Sequence, residues 1–180
     1  MKIAIIAGGN RKEASSTQLL RYMEKSLQEK EISVTFIDLY QHQLPLYSPD
    51  SSEPSEQVDA LIQAVSAADG VILGTPEYHG SFSGVLKNAL DYLGAAQFEG
   101  KPVLVASAAA GAVGVSSLTQ LQTIVRNLHG INCTEWVSIG GDNRQFGEDG
   151  EPANDKVKQR VLYALAHLTR LVKQLRLSEE

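Results

Sequence analysis

Apolar residues fall into two kinds of run along the chain. Four short stretches, Ile3 to Ala7, Ile32 to Asp38, Gly70 to Gly74 and Pro102 to Ala108, lack strict alternation and are bounded by turn residues. That is the pattern of strands buried on both faces. A fifth stretch, Asn132 to Ile139, alternates more. Between them, helical spacing predicts helices over roughly Thr17 to Lys30, Glu56 to Ala68, Gly84 to Leu93, Val115 to Leu128 and Asn154 to Leu175. In the fourth of these, Val115, Leu118, Leu121, Val125 and Leu128 share one face, and Asn127-Leu128-His129-Gly130 closes the helix. The last sets Val157, Val161, Leu165, Leu168, Val172 and Leu175 opposite Lys156, Gln159, Arg160, Arg170 and Lys173. Strand and helix alternate throughout, so the pattern predicts a parallel α/β sheet covered by helices on both faces. No repeat or linker interrupts it, and residues 1–180 read as one domain.

Composition agrees with a globular chain. With 180 residues, 43% of them hydrophobic and 21% charged, the chain is long enough to bury one core without disulfide or metal staples. A net charge of -5 and scattered Lys and Arg argue against nucleic acid as a partner. Cys133 is the single cysteine, which excludes an intramolecular disulfide and Cys-rich zinc sites and suits a cytoplasmic location. The apolar run that starts at Ile3 breaks at Gly8-Gly9, too early for a secretion leader. No stretch approaches the ~20 apolar residues of a membrane span, so no membrane partner is expected.

In a doubly wound sheet, ligands sit beyond the carboxyl ends of the strands where strand order reverses. Five strands suggest, by analogy, the flavodoxin-like order 2-1-3-4-5, which places that point beside strands one and three. The loop after strand one runs from Gly8 through Arg11 to Ser15, Ser16 and Thr17 at a helix start. Free backbone N–H groups, hydroxyl donors and a planar guanidinium together suit a terminal phosphate. A plainer reading remains: Ser15 and Gln18 have the form of a capping box, and Arg11 is a solvated loop charge. The loop matches neither G-x-x-x-x-G-K-[ST] nor G-x-G-x-x-G, although Asp38 ends strand two where a ribose would lie in a dinucleotide site. A phosphoacceptor receiver needs acidic residues at the ends of strands one and three. Those ends read Ala7-Gly8-Gly9 and Gly74-Thr75-Pro76.

The loop after strand three, Thr75-Pro76-Glu77-Tyr78-His79-Gly80, offers a stiff turn, an aromatic face and glycines that let a flat ligand approach the backbone. Its plain reading is a half-buried Tyr78, a solvent-facing His79 and Ser83 as a helix cap. Two longer connections, Tyr40 to Ser55 and Gly140 to Pro152, also qualify as functional loops.

These residues carry a family resemblance. The early Arg11 loop with Ser16, T-P-E-Y-H-G at 75–80, S-G-x-L-K-N-A-L-D at 83–91 and Phe146-Gly147-Glu148-Asp149-Gly150 resemble the NAD(P)H-dependent FMN reductases, particularly their small bacterial azoreductase and quinone reductase members. The resemblance implies that Arg11, Ser15, Ser16 and Thr17 hold the FMN phosphate. It implies that Pro76, Glu77, Tyr78 and His79 line the isoalloxazine, with Ser83 approaching from the helix start. Many members carry Asn where this chain has His79. The third cofactor loop, Ser107 to Gly114, contributes Ala110, Gly111 and Gly114. It lacks the basic residue some members place there, which leaves NADPH or NADH as donor.

The implied activity is ping-pong transfer from NAD(P)H through FMN to a quinone, azo compound, free flavin or similar small acceptor, with no catalytic side chain and no metal. An electron-carrier flavodoxin without reductase activity is the alternative. It predicts a strongly acidic surface and no arginine in the phosphate loop. The third helix, Val85 to Leu93, is apolar on most sides; with the resemblance, it predicts a homodimer or homotetramer.

Overall fold

Every apolar run that reads as a buried strand takes its place in one parallel sheet. The computed structural model describes residues 1–51 and 55–176. Its strands are β1 (Lys2–Ala7), β2 (Ser33–Asp38), β3 (Gly70–Pro76), β4 (Pro102–Ala109) and β5 (Ile131–Gly140), in the order β2-β1-β3-β4-β5. The helices are α1 (Ser15–Gln28), α2 (Glu56–Ser66), α3 (Gly84–Asp91), α4 (Ala95–Phe98), α5 (Val115–Asn127) and α6 (Asp155–Arg176), with a 3₁₀ turn at Gly141–Arg144. This is the doubly wound flavodoxin-like sheet expected from the sequence.

Side-chain alternation explains the two layers. Ile3, Ile5, Ile72, Leu104 and Val137 face α1 and α6, where Leu19, Met23, Val161 and Leu168 complete one core. Ile6, Val71, Leu73, Val103 and Val105 face the other helices, and Leu61, Leu86, Phe98 and Leu121 complete a second. Both faces of the central strands are therefore dry, and β1, β3 and β4 read as continuous apolar runs for that reason.

Several boundaries differ from the sequence reading. β3 does not stop at Gly74: Thr75 and Pro76 pair with Ser107 and Ala108. Proline is tolerated there because Gly74 accepts from Gly8 and Glu77 N–H donates to Ala108. Strand alternation then turns the proline nitrogen towards β1, whose last paired residue is Ala7. α1 starts at Ser15 rather than Thr17, so Ser15 is no cap. Ala14 occupies the N-cap without a side-chain hydrogen bond, and Gln18 Nε2 instead donates to Glu13 O at 2.9 Å. The short α4 carries no signal in the sequence reading.

The third helix is also corrected. Leu86, Ala89, Leu90 and Leu93 are buried within the chain itself, while Lys87 and Asp91 form an exposed ion pair at 2.6 Å. Its outer flank is covered by the segment after β2. Tyr47 N–H donates to Asn88 Oδ1 at 2.8 Å, Asn88 and Tyr92 both donate to Pro45 O, and the Tyr47 and Tyr92 rings meet edge to face. The helix is amphipathic, so its composition carries no argument for a subunit contact. Of the long connection Tyr40 to Ser55, residues 52–54 lie outside the described residues. No helix among the described residues is long and apolar enough to cross a membrane.

Candidate active site

The loop after β1 is pressed against β3 and α3. Gly8 N–H donates to Gly74 O at 2.7 Å, and Gly8 O accepts from Ser83 Oγ at 2.6 Å. A Cβ at Gly8 would lie 2.8 Å from Leu86 Cβ and 2.9 Å from Gly74 O, so only glycine fits this approach. One residue on, a Cβ at Gly9 would lie 2.5 Å from Thr17 Oγ1 and 3.5 Å from Ser16 Oγ. Loop and helix start thus form a closely fitted cradle.

The donors of that cradle are unused. The first helical bond runs from Gln18 N–H to Ala14 O, which leaves the N–H groups of Ser15, Ser16 and Thr17 without an intrahelical acceptor. No side chain caps them. Ser16 Oγ and Thr17 Oγ1 are buried and have no hydrogen-bond partner. A buried hydroxyl without a partner costs about 1–3 kcal/mol, so two side by side at a helix N-terminus mark a place built for an acceptor. Arg11 stands exposed beside them. A phosphate group fits this donor set in charge and hydrogen-bonding capacity.

The segment after β3 forms a tight hairpin. Tyr78 N–H donates to Ser81 O at 2.9 Å and Ser81 N–H donates back at 3.0 Å, with His79 and Gly80 at φ of 52° and 75°. Two central residues with positive φ are the signature of a type I′ turn, which favours Asn-Gly. Histidine is among the residues enriched in this conformation, so His79 satisfies the backbone geometry that Asn most often supplies. Its side chain is exposed. Tyr78 OH donates to Asn10 Oδ1 at 2.7 Å and so ties this hairpin to the loop after β1.

The Glu77 side chain lines the cleft and also holds the next helix. Its Oε2 accepts from Ser117 N–H at 2.9 Å and from Ser117 Oγ–H at 3.0 Å. A carboxylate from another loop thus caps α5 in its first turn, where the positive end of the helix favours negative charge. Beneath it, Ser107 Oγ donates to Gly114 O at 2.8 Å and Gly114 N–H donates to Ser138 Oγ at 2.7 Å. A Cβ on Gly114 would meet Ser107 Oγ at 2.8 Å.

A cleft of ≈ 120 Å³ draws these loops together. It is lined by Arg11, Ser15, Ser16, Pro76, Glu77, Tyr78 and Ala110, among others. Thr17 lies just beneath the cradle against Gly9. The remaining candidates do not line the cleft. Ser83 is 1% exposed, caps Leu86 N–H and holds Gly8, so its hydroxyl serves the protein rather than a ligand. His79 sits at the turn tip, Gly114 is buried under the third loop, and Gly111 is exposed outside the cleft.

Arg144 lines the same cleft and was missed in the sequence. The segment that carries it is anchored by Glu151, which bonds Lys25 at 3.0 Å and Lys158 at 3.1 Å. Those two ammonium groups hold the Glu151 carboxyl below its ordinary value, chiefly through hydrogen bonding, first from Lys25 and then from Lys158. Cys133 takes no part: burial, and then the charge of Glu135, pushes its thiol up to about 12.

Comparison with known proteins supplies the family. The profile of the NADPH-dependent FMN reductase family matches residues 1–144. The chain is 36% identical over 169 residues to an NADPH azoreductase of Bacillus sp. (strain OY1-2), covering 91% of this chain and 92% of the relative. It is 35% identical over 157 residues to an FMN-dependent NADPH-azoreductase of Staphylococcus aureus (strain USA300), covering 83% and 82%. In fold it is similar to a flavoenzyme NAD(P)H:(acceptor) oxidoreductase from Paracoccus denitrificans, with a TM-score of 0.78, 21% identity and 97% of each chain covered. The chain belongs to the NADPH-dependent FMN reductase family, and so to the flavin-dependent NAD(P)H oxidoreductases.

Proposed function

We propose that this protein is an FMN-dependent NAD(P)H oxidoreductase that reduces azo compounds, quinones, free flavin or similar flat acceptors in a ping-pong cycle. The observation that carries the reading is the pair of buried, unpartnered hydroxyls of Ser16 and Thr17 beneath an uncapped helix start, with Arg11 beside them. These groups receive the phosphate of FMN. Pro76 and Tyr78, with Ala110 opposite, form the walls for the ring. When bound, FMN supplies hydride acceptance from NAD(P)H and electron delivery to the acceptor. The side chains around it position, shield and polarise; none is needed as nucleophile or metal ligand.

A second, apolar cleft of ≈ 410 Å³ opens on the other side of the Tyr78–Asn10 bridge, lined by Asn10, Leu39, Tyr40, Leu44, Leu46 and Val85. Its size and lining suit a flat aromatic acceptor. Leu46 is 85% exposed, yet its neighbours Pro45 and Tyr47 are bonded to α3. A fixed, exposed leucine supports the expectation of a homodimer or homotetramer, which light scattering of the purified protein tests.

The decisive measurement is the visible spectrum of the purified protein loaded with FMN, recorded without air before and after NADPH, and then after an azo dye. Bleaching by NADPH followed by recovery of the flavin band as the dye fades supports the reading. A protein that fails to retain FMN, or retains it without bleaching, overturns it. The second result would instead describe an electron carrier.

A further inference from the structure

We propose that Arg144 is a second guanidinium for the same phosphomonoester that Arg11 receives, and that it sets the preference of this site for FMN over riboflavin. This inference rests on the flavin reading above. Arg144 ends the 3₁₀ turn that follows β5, beyond the carboxyl end of the sheet, and lines the cleft with Arg11, Ser15 and Ser16. Its Nε donates to Gly141 O at 3.3 Å. Among the described residues, its two terminal nitrogens have no hydrogen bond or ion pair. The carboxylate that lines this cleft, Glu77, is already engaged by Ser117. The guanidinium therefore lines the cleft with donors to spare and, among the described residues, without an ion-pair partner.

The segment around Arg144 is fixed rather than adventitious. Asn154 Nδ2 donates to Asn143 Oδ1 at 2.7 Å, Ala153 N–H donates to Gln145 O at 2.9 Å, and Phe146 bridges to Pro152 while packing on the core. Glu151 then ties the segment to α1 through Lys25 and to α6 through Lys158. Such bracing pre-places a side chain for a ligand. A second guanidinium adds positive charge to a cleft that Glu77 also lines, and it offers the planar fork that phosphate oxygens accept.

The test titrates flavin-stripped protein with FMN and, separately, riboflavin, following flavin fluorescence. Arg144→Ala is expected to raise the FMN dissociation constant roughly 10- to 100-fold, the usual range for a hydrogen-bonded charge, and to leave the riboflavin constant within about twofold. Arg144→Lys is expected to fall between. Arg144→Gln, which can keep the bond to Gly141, repeats the test should the alanine variant melt early. An unchanged FMN constant overturns the inference, as does an equal loss for riboflavin. Intact FMN binding with lost discrimination between NADPH and NADH also overturns it, because the guanidinium would then serve the dinucleotide phosphate. Failure of the parent protein to bind either flavin would instead strike the proposed function itself.

Discussion

Replacing Ser16 with alanine separates a binding site from a packing defect, because the two readings predict opposite signs. Ser16 is 2% exposed and its hydroxyl has no partner in the protein. A buried, unsatisfied hydroxyl costs about 1–3 kcal/mol, and its removal recovers much of that while sacrificing little packing. Ser16→Ala is thus expected to stabilise the flavin-stripped protein by about 1 kcal/mol, a rise of roughly 2–4 °C in Tm for a chain of this size. The same change deletes a donor to the phosphate, a charge-assisted bond of about 1.5–3 kcal/mol, and should weaken FMN binding roughly 10- to 100-fold. The assay is thermal melting without flavin beside a fluorescence titration with FMN. A lower Tm with unchanged affinity would refute the reasoning, since Ser16 would then be an ordinary structural residue. Stability surrendered at a functional site is the usual relation between the two.

Two other predictions follow from the loops around the cleft. Glu77→Ala strips Ser117, 0% exposed, of the acceptor for its N–H and of one of two acceptors for its hydroxyl, and should cost about 2 kcal/mol, a fall of roughly 4–8 °C in Tm; Glu77→Gln, which keeps an oxygen there, should fall less, and equal losses would refute the capping role. The Glu151 clamp should be acid-sensitive: its carboxyl is held below the ordinary 4.5 by Lys25 and Lys158, so its contribution is present above that value and lost as pH falls through the depressed one. The Tm difference between the parent and Glu151→Gln should therefore be steady from about pH 6 to 8 and shrink as the medium is acidified, and a difference that does not diminish in acid would contradict it.

The fold was legible because buried parallel strands write themselves as continuous apolar runs. Ile3 to Ala7 and Pro102 to Ala108 need no context to be read. The boundaries failed where local chemistry imitates something else. Pro76 looks like a turn residue, and only the end of β1 beside it makes the position a strand. Ser15 with Gln18 has the spelling of a capping box, but the glutamine reaches back to Glu13 and the helix has already begun. The candidate anion cradle was legible from its residue types, since arginine and hydroxyls at a helix start suit an anion whatever the register. Arg144 was not legible. It lies in a polar stretch without periodicity, and its placement depends on the bond between Lys25 and Glu151, which spans 126 positions. The chain did carry one hint, the Phe146 to Gly150 stretch, whose neighbours Gln145 and Ala153 hold the segment in place.

The Thr75 to Gly80 segment gains its meaning from the bonds that leave it. Thr75 Oγ1 accepts from Ser83 N–H, Glu77 caps α5, the Glu77 N–H bonds Ala108, and Tyr78 bonds Asn10. One short stretch therefore couples the loops after β1 and β4 to α3. A flat ligand held between those loops meets walls that cannot move independently. The same coupling explains why this segment tolerates His79: the turn needs a residue that accepts positive φ, and the cleft wall is carried by its neighbour Tyr78. Sequence identity at position 79 therefore bears on the hairpin, while on the proposed function flavin affinity should respond to Tyr78 and to the cradle opposite.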